Sequence, residues 1–193
     1  MRIDAPGSGA NPTTDRLVLS VPQPSDLAEL HQLYADPQVW RADPISRQSS
    51  QEQTATMVDR WLAGWQRDGL SMWVARSTEP ATEGQLVGIG GCFVRFGVAW
   101  NLGFRLHPTF WGQGYAQEII RAAVAAARDV RPDLPLTAYL LEGNTRSQRT
   151  TERAGLRQVW RGPDAGNPDP HAIRLLYADR DLSPALVKTL TDN

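Results

Sequence analysis

The sequence has few of the side chains from which covalent cross-links and metal sites are built. Its 193 residues include one cysteine, Cys92, and three histidines. A single cysteine excludes an internal disulfide and every metal site that needs two or more cysteines, so we expect no metal cofactor. Cys92 lies in an apolar stretch, where a cysteine acts as a small buried hydrophobic residue, and no Cys–His arrangement indicates nucleophilic catalysis.

The sequence also lacks a charge excess and a long apolar run. Lys and Arg total 20 against 21 Asp and Glu, a formal net charge of -1, which argues against nucleic acid or a membrane as the main partner. The longest apolar run, residues 122–127, is too short to cross a bilayer, and residues 1–14 contain no apolar segment typical of a secretory signal. We therefore predict a cytoplasmic protein with a flexible leader over residues 1–13 and a single domain over residues 14–193.

Hydrophobic periodicity predicts both helices and strands. The strongest helical pattern begins at Ala116, where apolar residues recur at three- and four-residue spacing through Ala127. Short connections between residues 71 and 106 favour antiparallel pairing. The order places the chain in the α+β, or mixed α/β, class. The predicted strands cover residues 17–21, 71–76, 86–95, 98–106, 136–141, 156–160 and 173–177, and the predicted helices cover residues 25–34, 51–67, 116–127 and 144–155.

The segment over residues 108–118 joins a predicted strand to the best predicted helix and contains Gly112 and Gly114. Glycines leave backbone N–H groups accessible at a helix N-terminus, where the helix dipole favours an anion such as a phosphate. A glycine turn that only starts a helix is the alternative. Tyr115 and Ala116 exclude a P-loop, which needs Lys and Ser or Thr there, and Gln117 excludes the dinucleotide-binding fingerprint.

The same segment resembles the acetyl-CoA motif of the GNAT N-acetyltransferases, Gln/Arg-x-x-Gly-x-Gly/Ala. The motif falls on residues 111–116, with Trp111 at the position of Gln or Arg. The flanking sequence, residues 14–178 in order, is similar to the RimJ/RimL branch of that family, which acetylates the N-termini of ribosomal proteins. The segments that carry this similarity are residues 14–17, 34–37, 87–91, 102–104, 144–147 and 154–156. The resemblance implies a GNAT fold with a mostly antiparallel twisted sheet of about seven strands and about four flanking helices.

The resemblance also implies a set of residues that bind acetyl-CoA as the co-substrate. In the family, the backbone amides of the motif loop hold the pyrophosphate, and the pantetheine arm lies beside the preceding strand in a gap next to the strand over residues 136–141. The helix over residues 144–155 adds an Asn and, in this sequence, arginines at helical spacing that either attract the nucleotide or form a solvated face. The implied cofactor-binding residues are Leu106, Gly112, Gln113, Gly114, Tyr115, Ala116, Asn144 and Arg149.

The catalytic residues follow less directly from the sequence. Acetyl transfer to an amine needs proton removal from the amine, a donor to the carbonyl oxygen and a proton for the leaving thiolate. The resemblance places Ser147 as the general acid and Asn101 at the position of the usual base, although Asn cannot take a proton at neutral pH. Tyr34 and Trp40 are the predicted walls of the acceptor pocket. A water relay is one alternative for the base, and the other candidates are His31, Asp36, His107 and Glu142.

We therefore expect a cytoplasmic N-acetyltransferase that transfers an acetyl group from acetyl-CoA to a primary amine by direct attack in a ternary complex. The amine belongs to a protein N-terminus or to a small molecule, and the sequence leaves this choice open. Two other functions also remain open: an acyl-CoA-binding sensor on the same fold, and an interaction protein whose glycine loop is only a turn. The sequence also leaves open whether the protein is a monomer or a homodimer.

Overall fold

A computed structural model of the chain describes residues 11–165 and 167–192. Its core is one seven-stranded sheet with the order β1-β2-β3-β4-β5-β7-β6. Every neighbouring pair is antiparallel except β4 and β5, which are parallel. The strands are β1 Leu17–Ser20, β2 Met72–Ser77, β3 Leu86–Arg95, β4 Ala99–Leu106, β5 Leu136–Leu141, β6 Arg157–Pro163 and β7 Ile173–Ala178.

Five α-helices surround this sheet, and four of them were predicted from the sequence. They are α1 Leu27–Ala35, α2 Gln51–Asp68, α3 Tyr115–Val130, α4 Thr145–Arg153 and α5 Pro184–Thr191. The sequence prediction missed α5, although Ser183 caps its N-terminus by accepting a hydrogen bond from Leu186 N and Pro184 occupies its first turn. The helix buries Leu190 against the sheet beside Leu176.

The two faces of the sheet carry different helices, as the periodicity of each helix requires. The apolar stripe of α3, including Ile119, Ile120 and Ala123, lies in the largest buried cluster together with residues of β3 and β4. Residues of α1 and α2 form a second cluster on the opposite face, with Met72 and Ile89 of the sheet. Gly69 ends α2 in the left-handed conformation, with φ of 75°, as predicted.

The parallel pair β4 and β5 separates soon after it forms. Trp100 pairs with Leu136 and Asn101 pairs with Thr137, and no further pair joins these two strands. Thr137 Oγ1 donates to Trp100 O at 2.8 Å, which fastens the last paired position. Beyond it, the strands diverge and leave the gap that the sequence comparison places beside β4. This gap is the feature around which the candidate site is built.

The start of the described chain lies against β1. Asn11 Oδ1 accepts a hydrogen bond from Val21 N, and Pro12 O accepts one from Leu19 N, each at 2.9 Å. Residues 11–13 of the predicted leader are therefore bonded to β1, whereas residues 1–10 lie outside the described residues. The predicted domain boundary at residue 14 stays a prediction.

Candidate active site

A cavity of about 280 Å³ occupies the gap between β4 and β5. Its walls come from β4, β5, α4 and the segment that joins α1 to α2. Four of the residues singled out from the sequence line it: Tyr34, Asn101, Asn144 and Ser147. The fold therefore brings together side chains that are up to 113 positions apart in the chain, and it places them where the sheet is open.

Buried polar atoms without hydrogen-bond partners are concentrated in this cavity. Five such side-chain atoms occur in the part of the chain that the structure describes, and four of them belong to residues that line the cavity: Asp43 Oδ1, Asn101 Oδ1, Tyr139 Oη and Thr151 Oγ1. Burying a polar group without a partner costs about 1–3 kcal/mol. Such a cluster is typical of a site in which a ligand or ordered water completes the hydrogen bonds.

The sheet also directs backbone donors into the gap. Trp100 N donates to Pro135 O at 2.9 Å, so the N–H of this residue points toward β5. Because N–H groups of a strand point to the same side at every second residue, those of Leu102 and Phe104 point the same way. No β5 residue pairs with either position. These two amides are therefore available to a carbonyl oxygen in the gap.

The glycine loop follows directly after β4 and leads into α3. Gly112 and Gly114 have φ of 76° and 87°, a left-handed conformation that side chains disfavour. Gly114 is the N-cap of α3 and offers no side chain to its first turn, so the amides there remain available to an anion. A helix N-terminus built this way suits the pyrophosphate of CoA.

Trp111, which departs from the motif, has a clear structural role. Its Nε1 donates to Leu106 O at 2.9 Å, which closes the loop onto the end of β4. The guanidinium of Arg146, from α4, lies 4.2 Å from the centre of the Trp111 ring. The arginine therefore brings a positive charge to the loop in a cation–π contact. Arg149, predicted for the same task, is exposed on α4 and remains a prediction.

A buried carboxylate fixes the glycine loop to the start of the chain. Glu118, in the first turn of α3, accepts hydrogen bonds from Thr14 Oγ1 at 2.5 Å, Arg16 N at 2.8 Å and Arg16 Nε at 2.9 Å. Burial alone raises the pKa of Glu118, but these bonds from Thr14 and Arg16 outweigh it and lower that pKa. Arg16 also donates to Gln113 O at 3.1 Å and lies 4.1 Å from the centre of the Tyr115 ring.

Helix α4 presents its N-terminal turn to the cavity. Asn144 Oδ1 accepts a hydrogen bond from Ser147 N at 3.1 Å, which caps the helix. Ser147 lines the cavity, and Thr151 lies one turn further along the same face. Asn144 therefore positions Ser147 as well as lining the cavity itself.

The side of the cavity next to α1, where the acceptor pocket is predicted, is aromatic and contains a cation. Arg105 lies with its guanidinium 3.5 Å from the centre of the Trp40 ring and donates to Val39 O at 3.2 Å. Tyr34 lines the cavity, and burial raises its pKa to about 12 although Arg105 acts in the opposite direction. Trp40 is held behind Arg105, where its Nε1 donates to Tyr34 O at 2.6 Å. Of the two residues predicted as walls of the acceptor pocket, Tyr34 lines the cavity, whereas Trp40 lies against Arg105, which lines it in its place. Their role toward an acceptor stays a prediction.

The base candidates taken from chemistry alone lie away from the cavity beside Asn101. His31 Nδ1 contacts Thr54 Oγ1 at 3.0 Å between α1 and α2, and Asp36 accepts from Gln38 N just after α1. His107 is exposed and accepts from Thr109 N. Glu142 forms an exposed ion pair with Arg161 and lines a neighbouring cavity of about 330 Å³. A role for any of these four residues as the base stays a prediction.

Asp43 supplies the carboxylate that sequence reasoning missed. It is the one acidic residue among the described residues that line the cavity. Its Oδ2 accepts from Ser46 Oγ at 2.8 Å, whereas its Oδ1 is buried without a partner. The only sequence signal is its position before Pro44 in a polar connection, which also suits an ordinary turn.

Two further features concern ligands of other classes. Among residues 11–165 and 167–192, no group of three or more His, Cys, Asp or Glu side chains is placed to bind a metal ion. Over the same ranges, no helix has the length and hydrophobicity needed to cross a membrane. Cys92 is fully buried, and burial raises the pKa of its thiol.

Comparison with known proteins identifies the architecture. A family model for the acetyltransferase (GNAT) domain matches residues 16–157. A GNAT-family acetyltransferase from Bacillus anthracis is 20% identical over 86% of this chain and 95% of its own, with a TM-score of 0.71. RimL, a ribosomal L7/L12 α-N-protein acetyltransferase solved in complex with coenzyme A, is 22% identical over 88% of this chain and 98% of its own, with a TM-score of 0.69.

A third similar structure is the acetyltransferase from Salmonella typhimurium that modifies the N-terminal serine of ribosomal protein L7/L12. It is 22% identical over 89% of this chain and 98% of its own, with a TM-score of 0.67. These likenesses confirm the predicted fold class. Because the family model covers most of the chain, the chain belongs to the GNAT family and is an acetyl-CoA-dependent acetyltransferase, as its sequence predicts.

Proposed function

We propose that this protein transfers an acetyl group from acetyl-CoA directly to a primary amine bound in the cavity between β4 and β5. The observation that carries the proposal is the separation of these strands after Asn101 and Thr137, next to the glycine loop. That separation exposes backbone donors and gathers unpaired buried side-chain oxygens in one place. A cavity with these groups suits a reaction between an acyl donor and an amine.

The residues around the loop and the gap fit CoA. The amides at the start of α3, preceded by Gly112 and Gly114, bind the pyrophosphate, and Arg146 adds a positive charge beside Trp111. The bound donor supplies the acetyl thioester. The N–H groups of Leu102 and Phe104 donate to the thioester carbonyl oxygen, whose negative charge grows as the amine attacks.

The amine side of the reaction depends on the unpaired oxygens. Asn101 Oδ1, on a residue that is 8% exposed, accepts a hydrogen bond from the amine and orients it. Asn101 cannot take the proton, so we assign that proton to water that is hydrogen-bonded within the cavity. Asp43 is the acidic group that lines the cavity, so we assign its Oδ1 as the carboxylate oxygen that acts together with that water.

Ser147 completes the proposed reaction. Its backbone N–H donates to Asn144 Oδ1, which positions the residue at the wall of the cavity. We assign its hydroxyl as the donor of a proton to the leaving thiolate. No covalent enzyme intermediate is needed, because the amine and the thioester share one cavity and Cys92 is buried outside it.

The acceptor is the amine of a protein N-terminus or of a small molecule. The similarity in fold to RimL, which acts on the α-amino group of ribosomal L7/L12, supports the first of these. We also propose that the protein is located in the cytoplasm, which cell fractionation can check. A homodimer is the oligomeric state to be tested by light scattering.

Thiol release from acetyl-CoA, measured across peptide N-termini and small amines, tests the proposal. We expect thiol release that depends on the amine and matches the amount of acetylated product. Tight binding of CoA with no turnover of any amine would contradict the proposal and favour a non-catalytic acyl-CoA sensor. Absence of CoA binding in a calorimetric titration would contradict the assignment of the glycine loop.

A further inference from the structure

The charges around the acceptor side of the cavity do not balance. Arg105, Arg174 and Asp43 line the cavity, and they interact with a group that also includes Arg95 and Asp164, which do not line it. Three cations and two carboxylates give a formal charge of +1. The nearby Glu142 is taken up by Arg161, with N–O distances of 2.5 and 2.9 Å, so it does not offset this excess.

Among the described residues, Arg95 and Arg105 are the two members of this group without an ion pair, and of these two only Arg105 lines the cavity. Arg174 donates to Asp164 Oδ1 at 2.8 Å and has Asp43 Oδ2 4.0 Å away. By contrast, no carboxylate of the described residues lies within the 4.0 Å of an ion pair from Arg105. Its hydrogen bond to Val39 O and its contact with Trp40 use one N–H and one face of a guanidinium that carries five N–H groups. Arg105 also interacts with the Tyr34 hydroxyl. Its guanidinium therefore has N–H groups beyond those that contact Val39 and Tyr34, and the residue itself lines the cavity.

Strand β4 connects this cation to the reacting centre. Every second residue of a strand lies on the same face of the sheet, so one face of β4 carries Asn101, Gly103 and Arg105. Gly103 has no side chain, and Met72 lies over it, since a Cβ at this position would approach Met72 Cε to 3.3 Å. Asn101 and Arg105 are four residues apart, which is roughly 13 Å along a strand. A ligand that reaches both residues is therefore several bonds long.

We propose that the acceptor is a primary amine that carries an anionic group, a carboxylate or a phosphate, several bonds from the amine. The amine lies at Asn101, and the anionic group binds Arg105. An acceptor with an ammonium group alone brings a second positive charge to a site that already has an excess, whereas an anionic group compensates it. Arg suits this task because its planar guanidinium binds carboxylate and phosphate oxygens in pairs. This inference rests on the proposed function, because it concerns the acceptor of that same reaction.

Matched pairs of amines test the inference. One pair consists of tripeptide amides with serine first and either aspartate or asparagine third, and the other consists of 8-aminooctanoate and its amide. With acetyl-CoA saturating, we expect kcat/KM to favour the anionic member of at least one pair by about ten- to a hundredfold, as for a charge-assisted hydrogen bond. The pair that shows the preference distinguishes a peptide acceptor from a small molecule.

Variants connect the preference to the residue. Arg105→Gln is expected to bring the ratio within each pair close to one, and Arg105→Lys to retain part of it, because lysine keeps the charge without the planar fork. Arg128→Gln, at an exposed position near the end of α3, is the matched control and retains the full ratio. Thermal unfolding and CoA titration show whether each variant is folded.

The outcomes separate this inference from the proposed function. Equal turnover within both pairs by the wild-type protein, or a preference for the neutral member, would overturn the inference and leave acetyl transfer intact. A preference that survives in a folded Arg105→Gln variant would overturn the role of Arg105. Should Arg105→Gln fail to fold, the wild-type ratios still decide the substrate class. No turnover of any amine would count against the proposed function itself.

Discussion

Gly112 and Gly84 form a matched pair of positions that tests whether the glycine loop binds CoA. Their φ angles are 76° and 75°, and a Cβ added at either position meets no atom within 4 Å. Alanine therefore imposes the same kind of backbone strain at both, about 1–2 kcal/mol for a left-handed residue. Alanine also restricts the unfolded chain, which offsets about 0.4–1 kcal/mol of that cost in stability at each position.

The two substitutions differ in what the strain affects. In Gly112→Ala, the free loop relieves its strain by leaving the left-handed conformation, and CoA binding must restore that conformation. A strain of about 1–2 kcal/mol corresponds to about 5- to 30-fold weaker binding. In Gly84→Ala, the strained residue lies between β2 and β3, away from the cavity, so CoA affinity should not change.

Calorimetric titration of CoA into the wild type and both variants measures this difference. We expect Gly112→Ala to weaken binding and Gly84→Ala to match the wild type. Thermal unfolding without CoA should show a decrease in Tm of at most a few degrees for either variant, as expected for a chain of this size. Equal CoA affinity in all three proteins, with both variants folded, would refute the assignment of the loop.

Three further predictions concern single residues. Ser147→Ala should lower kcat about a hundredfold or more with little change in the KM for acetyl-CoA, because general acid catalysis contributes about 10²–10⁴; steady-state kinetics with an unchanged kcat would contradict the role. Glu118 has a lowered pKa in the folded protein, so its contribution to stability is present above its unfolded pKa and is lost as pH falls through the folded pKa. Glu118→Gln should therefore unfold more easily at neutral pH and lose less stability on acidification than the wild type, and identical pH dependence of Tm would exclude this. Cys92 should react with a thiol reagent only after denaturant is added, because it is fully buried; rapid labelling of the native protein would be inconsistent with the fold.

Much of the architecture is predictable because it is local in sequence. The stripe from Ala116 to Ala127 encodes α3, and Gly69 marks the end of α2 through its left-handed conformation. The motif glycines likewise mark the loop between β4 and α3, because their left-handed conformation favours glycine. The C-terminal helix was missed because it is only eight residues long and buries Leu190 against the sheet, and a helix this short depends on such packing for its stability.

The acceptor side was less predictable because it depends on contacts between distant segments. Asp43 has an ordinary turn sequence around it, and only the folded chain shows that its Oδ1 is buried in the cavity without a partner. Arg105 likewise reads as one charge in a strand, and its contacts with Val39 and Trp40 appear only when β4 lies against the segment before α2. The role of Trp111 was also not predictable from the sequence. The motif has Gln or Arg at this position, and only the structure shows that Trp111 Nε1 donates to Leu106 O.

The central claim is direct transfer of an acetyl group to an amine within one cavity. Rapid-quench analysis of a single turnover, with radiolabelled acetyl-CoA and an accepted amine, tests it most directly. The account predicts that thiol and acetylated amine appear at the same rate, and that no label is bound to the protein at any time. Label bound covalently to the protein before the product appears, or thiol release without acetylated amine, would contradict it.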